Sequence, residues 1–197
     1  MERALRFNTV LPPDKSYEPT NELDISCVAL GEGPKQVWLS TWDMAGDPAF
    51  DSRLAHYFVE GSLYMLCVPA LPVAELTKRF ELYVDRWLNT LQLSAPAALV
   101  LPVITKCDLL PALSSITDNS AQGMVNKAAA QVAWLKERVE AHLAKQPAGG
   151  EVLRIQPEVV CISSVTDGLD SITELRNRIS ALVFSEPPLL PTVNMTI

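Results

Sequence analysis

The sequence predicts an α/β domain built on a doubly wound, mostly parallel sheet with flanking helices. Three observations predict it: a pair of strand-like segments within residues 23–42, three short apolar runs at 62–68, 97–104 and 157–162, and helical periodicities at 73–93, 119–145 and 169–183 that alternate with those runs. Short, largely continuous apolar runs suit strands buried on both faces, as parallel strands between helix layers are.

The elements follow in order. Residues 23–30 (LDISCVAL) alternate like a half-buried strand, 31–35 (GEGPK) read as a turn, and 36–42 (QVWLSTW) as a second strand, so the pair is expected to form an antiparallel hairpin. The run at 62–68 is the first buried strand. A helix over 73–93 places Leu76, Phe80, Val84, Trp87, Leu88 and Leu91 on one face. The run at 97–104 is the second strand. Residues 119–145 repeat the spacing with Val125, Ala129, Val132, Leu135, Val139 and Leu143; the charged Lys136, Glu137, Arg138 and Glu140 beside that stripe read as a solvated face. The run at 157–162 is the last strand, and Ile172, Leu175, Ile179 and Leu182 mark a helix over 169–183 with Asp167 at its start. Residues 185–191 (SEPPLLP) cannot be helical, so 1–184 are expected to form the domain and 185–197 a Pro-rich linker.

A chain of 197 residues can bury about 70% of its unfolded surface without a disulfide or metal. With 16 basic against 23 acidic residues and a formal charge of −7, it lacks the clustered basic excess that a nucleic-acid backbone requires. The longest apolar stretch, 95–104, is about half the ~20 residues of a membrane span, and residues 1–7 lack the apolar core of a secretory signal. Cys27, Cys67, Cys107 and Cys161 are widely spaced, and His56 and His142 lie far apart. Buried free thiols in a reducing, cytoplasmic setting are therefore expected instead of a disulfide framework or zinc site.

In a doubly wound sheet, chemistry sits at the carboxyl ends of the strands. The second hairpin strand ends in Asp43-Met44-Ala45-Gly46, the run at 97–104 leads into Thr105-Lys106-Cys107-Asp108, and the last strand ends in Ser163-Ser164, with Asp167-Gly168 beyond. Each is ordinary turn chemistry alone; their order at successive strand ends is informative. An unrelated α/β hydrolase would need a G-x-S-x-G elbow or a Ser/His/Asp pattern, and neither is present.

This constellation resembles a small GTPase, and more closely the Roc domain, the Ras-like module of the Roco family that includes the leucine-rich repeat kinases. Trp42-Asp43-Met44-Ala45-Gly46-Asp47 resembles the family's W-D-x-A-G-Q, residues 56–68 (HYFVEGSLYMLCV) its aromatic, small-residue and apolar-strand run, and Thr105-Lys106-Cys107-Asp108 its base-recognition motif. Thr20-Asn21-Glu22-Leu23-Asp24-Ile25 resembles the switch I signature T-x-G-I-D-V, with Glu22 where Gly is usual. The resemblance extends over roughly residues 1–185 and implies a guanine nucleotide, GTP or GDP, with Mg. It implies that Asp108 accepts from the guanine N1 and N2 donors, that the Lys106 stem lies along the base, that Thr105 supports the loop, and that backbone N–H groups around Ser163 and Ser164 meet the guanine oxygen. Asp43 would hold a magnesium-bound water, Thr20 would reach the magnesium, and the Gly46 N–H would sense the γ-phosphate. A following COR-type domain or a homodimer partner is also implied.

Two departures shape the expected activity. The phosphate-cradling pattern G-x-x-x-x-G-K-[ST] does not occur: Lys15-Ser16 is preceded by Asp14, and Thr9 stands at the other Gly position. The first strand and P-loop are expected to lie upstream of Met1. Asp47 replaces the Gln that orients the attacking water, and a carboxylate there is repelled by the γ-phosphate. The expectation is a guanine-nucleotide-binding switch domain with weak or no GTP hydrolysis; the alternative is an interaction module on a GTPase scaffold that binds no nucleotide.

Overall fold

The computed structural model describes residues 23–31, 36–45, 55–110, 121–146, 149–165 and 169–184. Strands β1 (Leu23–Leu30) and β2 (Val37–Met44) form an antiparallel pair, with Leu23 opposite Met44 and Leu30 opposite Val37. At the end of β1 the chain turns through Gly31 at φ 76°, a left-handed conformation that a side chain would strain.

The second sheet is parallel. Strand β3 (Leu63–Pro69) lies on one side of β4 (Leu99–Thr105), and β5 (Arg154–Ile155) and β6 (Val160–Cys161) lie on the other. Every residue from Leu99 to Ile104 is buried, as the unbroken apolar run requires for a strand covered on both faces. Alternate side chains divide between two cores. Val100 and Ile104 join Leu66 and Val68 beneath α1 (Val73–Lys78), α2 (Arg86–Ser94) and the consecutive helices α3 (Ala121–Lys127) and α4 (Ala129–Leu143). Leu99, Leu101 and Val103 pack with Ile172, Leu175, Ile179 and Leu182 of α5 (Leu169–Val183), and with Val28 and Leu30 of the hairpin. The predicted class, a parallel sheet between helix layers, is the observed one.

Pro102 sits inside the central strand, where a missing N–H ordinarily breaks a ladder. The bonds from Arg154 N to Ala98 O, Gln156 N to Val100 O and Ile162 N to Ile104 O show that even-numbered residues of this segment face β5 and β6. Pro102 therefore faces the interval between those two short strands, where no ladder bond is required.

Several expectations change in detail. The predicted helix over 73–93 is divided: after α1, Arg79 adopts φ −113° and ψ 19°, a π-helical turn spans Glu81–Asp85, and α2 follows. The wider π turn shifts the helical register, while Leu76, Val84, Leu88 and Leu91 all remain buried. The predicted helix over 119–145 breaks at Ala128 (φ −95°, ψ 13°) into α3 and α4. The predicted last strand contracts to Val160–Cys161, and β5, too short to display any periodicity, was not foreseen. Of the four thiols expected to be buried, Cys107 and Cys161 are, while Cys27 and Cys67 are exposed, because each alternates with core residues of its strand (Val28, and Leu66 with Val68) and points the other way. The expected linker 185–197 lies outside the described residues, as do Asp167 and Gly168.

Candidate functional site

Parallel pairing brings the carboxyl ends of β4 and β6 side by side, Ile104 being opposite Cys161. The two following segments are tied together at once, by the Cys107 N–H donating to Ile162 O at 3.1 Å. On the other side of β4, the Ala70 N–H donates to Thr105 O at 2.7 Å, fixing the exit of β3 to the same loop. The loop thus springs from the most buried strand of the molecule.

Within it, Lys106 adopts φ 61° and ψ 36°, the left-handed region, and is the one described residue other than glycine with positive φ. An L-residue there costs about 1–2 kcal/mol, and such strain persists only where surrounding structure imposes it. A single 3₁₀ turn over Cys107–Leu109 follows, closed by Leu109 N to Lys106 O at 3.0 Å and Leu110 N to Cys107 O at 3.3 Å. This path turns Lys106 and Asp108 outward, both exposed, and turns Cys107 into the core.

Asp108 is held by a residue 55 positions away. Ser163 Oγ donates to Asp108 Oδ1 at 2.7 Å, and the same Ser163 oxygen accepts from the Val165 N–H at 3.4 Å. Ser163 is itself fully buried. Its N–H donates to Ser171 Oγ at 3.1 Å, and that hydroxyl donates back to Ser163 O at 3.4 Å. Ser171, at the start of α5, therefore saturates the Ser163 backbone. This differs from the expected role of Ser163: its N–H is engaged, and it serves the site through its hydroxyl. Ser164 follows half-buried. A carboxylate pinned on one oxygen while the residue stays open to solvent is an acceptor fixed in direction, suited to a ligand edge with adjacent N–H donors.

Beneath the loop lie two buried thiols. Cys107 Sγ donates to Ile104 O at 3.5 Å, and the hydrogen bond with Cys107, followed by burial, pushes the Cys161 thiol up. Cys161 is therefore a neutral packing group instead of a nucleophile.

The structure thus brings Thr105, Lys106, Asp108, Ser163 and Ser164 together at one end of the parallel sheet. Asp43 lies near the end of β2 in the hairpin sheet, opposite Asp24; both are exposed. Gly46 and Thr20, the remaining predicted nucleotide and metal residues, lie outside the described residues, as does Asp47. Among the described residues no group of three or more His, Cys, Asp or Glu is placed to hold a metal ion. Sequence reasoning missed Ser171; its only signal was a hydroxyl in the first turn of the helix that follows the Ser163 strand end.

The family described as "Roc: Ras of Complex, Roc, domain of DAPkinase" matches residues 12–108, an interval ending on Asp108 and leaving Ser163 and Ser164 beyond it. No curated protein matches the chain. Among solved structures, one of Methanosarcina barkeri Roco2 RocCORdC bound to GDP is similar, at 16% identity and a TM-score of 0.46. The match covers 82% of this chain and 39% of that one, so the chain spans well under half the length of that relative.

Proposed function

We propose that this chain carries a Roc domain of the Roco family, on the family match over residues 12–108, and that the strand-end cluster reads the guanine base of GTP or GDP. The observation that carries the reading is the Ser163–Asp108 hydrogen bond of 2.7 Å, which aims an exposed carboxylate from a left-handed loop. Asp108 accepts from guanine N1–H and N2–H, a donor pair that adenine lacks in that arrangement. The Lys106 stem lies along the base, the Ser164 N–H is the backbone donor offered to the guanine oxygen, and Thr105 anchors the loop. Asp43, with Thr20 and Gly46, serves the magnesium and the γ-phosphate. On the same reading, a COR-type domain or a second Roc copy is the proposed partner.

Binding by these 197 residues is weak, and hydrolysis is slow or absent. Hydrogen bonds to charged groups contribute about 1.5–3 kcal/mol each, so lacking three or four phosphate-cradle bonds lowers affinity by at least ~4.5 kcal/mol, more than a thousandfold. Asp47 in place of the water-orienting Gln adds repulsion toward the γ-phosphate. The same lack of a phosphate-cradling pattern favours a second reading, an interaction module that keeps the scaffold without nucleotide.

A fluorescent GDP analogue separates the two. The first reading expects saturable binding in the tens of micromolar or weaker, displaced by GTP and untouched by ATP. Absence of any saturable signal up to millimolar analogue selects the second.

A further inference from the structure

Ser171 is completely buried and lies inside the first turn of α5, beyond the cap position at which a serine ordinarily serves its own helix. Its hydroxyl is turned to the end of β6 instead. Along a strand, the backbone groups of successive residues point to opposite sides. Ile162 N–H donates to Ile104 O at 2.8 Å and Ile162 O accepts from Cys107 N–H at 3.1 Å, both toward β4 and its loop. The N–H and C=O of Ser163 therefore point the other way, across the outer edge of β6. Among the described residues β6 pairs only with β4, so no strand meets them there.

Ser163 is fully buried, and a buried backbone group without a partner costs about as much as a lost hydrogen bond. Ser171 Oγ meets both groups, accepting from Ser163 N–H at 3.1 Å and donating to Ser163 O at 3.4 Å. One side chain of α5 thus stands where a neighbouring strand would pair.

This grip decides where the Ser163 hydroxyl points. Held from α5 on one side and through Ile162 from β4 on the other, the residue has one orientation. Its single O–H goes to Asp108 Oδ1 at 2.7 Å, and its oxygen accepts from Val165 N–H at 3.4 Å. Asp108 is exposed on a single 3₁₀ turn and takes its direction from that bond. Guanine differs from hypoxanthine only in its 2-amino group. A carboxylate reads that group only when it lies in line with N1–H and N2–H together. A site of this kind needs its groups held within roughly 0.5 Å by neighbours that are themselves locked.

Building on the base-reading assignment above, we propose that Ser171 is the positioning residue that sets selectivity for the purine 2-amino group. It touches no ligand. It holds the Ser163 backbone, Ser163 holds Asp108, and Asp108 meets the base edge.

Competition of GDP and inosine diphosphate, which lacks the 2-amino group, against a fluorescent GDP analogue tests this on the full 197-residue chain. One hydrogen bond to a charged acceptor is expected to give the wild-type protein a preference of ~10–100-fold for GDP. Ser171→Ala is expected to lower that preference to roughly threefold or less. Ser171→Cys, close in volume but weak as donor and acceptor, is expected to lie between the two, and it carries the test if the Ala variant does not fold. A role confined to stability weakens binding of both nucleotides alike. An unchanged ratio in the folded Ala variant, or in the Cys variant where Ala does not fold, therefore overturns this inference and leaves the base reading standing. Wild-type protein that binds neither nucleotide, or both equally, overturns the base reading and this inference with it.

Discussion

The two regions of this molecule that carry polar and aromatic signatures are built in opposite ways. At the β4–β6 end, exposed Lys106 and Asp108 stand on the most buried strand, and Ser163, Ser171 and Cys107 lock two segments together beneath them. At the β1–β2 hairpin, the largest side chains, Trp38 and Trp42, face outward from a sheet that is two-stranded among the described residues and whose opposite face packs on α5. The difference teaches where precision resides. A directional acceptor needs a rigid base, whereas aromatic side chains displayed from one face of a hairpin do not.

The largest effect expected from this contrast is on stability. Leu101→Ala, in the fully buried centre of β4, is expected to cost about 2–5 kcal/mol, while Trp38→Ala stays within about 0.5 kcal/mol. Urea denaturation of the two variants checks this, and comparable losses would remove the contrast. Ser163→Ala comes next. It strips Asp108 and Val165 of a buried partner and is expected to cost about 1–3 kcal/mol, with guanine-analogue binding weakened roughly tenfold, as read by denaturation and titration of the same sample.

A smaller effect has two signs. Lys106→Gly relieves the left-handed strain and is expected to raise stability by about 0.5–1 kcal/mol, yet to weaken analogue binding because the side-chain stem is gone. A loss of stability with binding unchanged would show that Lys106 is held for stability alone. The smallest effect is on pH dependence. The Cys161 thiol is pushed up by its bond to Cys107 and by burial, so folding is favoured fully below the unfolded thiol value of ~8.5 and loses that share as pH rises through it. Cys161→Val is accordingly expected to flatten part of the fall in urea midpoint as pH rises above about 8.5. In the native protein the exposed Cys27 is expected to react with a thiol reagent while Cys107 and Cys161 stay protected until unfolding.

Much of this was legible in the sequence, for local reasons. The hairpin strand 23–30 and the helix 169–183 show a full period and end at clear breakers, and both appear at those bounds. The segment Thr105–Asp108 was legible as a strand-end motif because its residues are contiguous. What binds it was not: the Ser163 hydroxyl and its backing by Ser171 come from 55 and more positions away, and nothing in a single sequence reports which of several strand-end serines turns its hydroxyl toward Asp108. The π turn at Glu81–Asp85 was hidden for another reason, since it preserves the apolar spacing on which a helix reading depends. Two-residue strands such as Arg154–Ile155 exist only because β4 offers them a ladder, a tertiary cause with no local signature.

The central claim is that Asp108 reads the guanine edge. Asp108→Asn exchanges one acceptor for a donor, so competition of GDP and xanthosine diphosphate against a fluorescent analogue measures it directly. The account predicts that wild-type protein prefers GDP and that the Asn variant prefers the xanthine nucleotide, with Ser163 still able to hold the side chain. An unchanged preference, in a variant that retains the wild-type urea midpoint, would contradict the assignment.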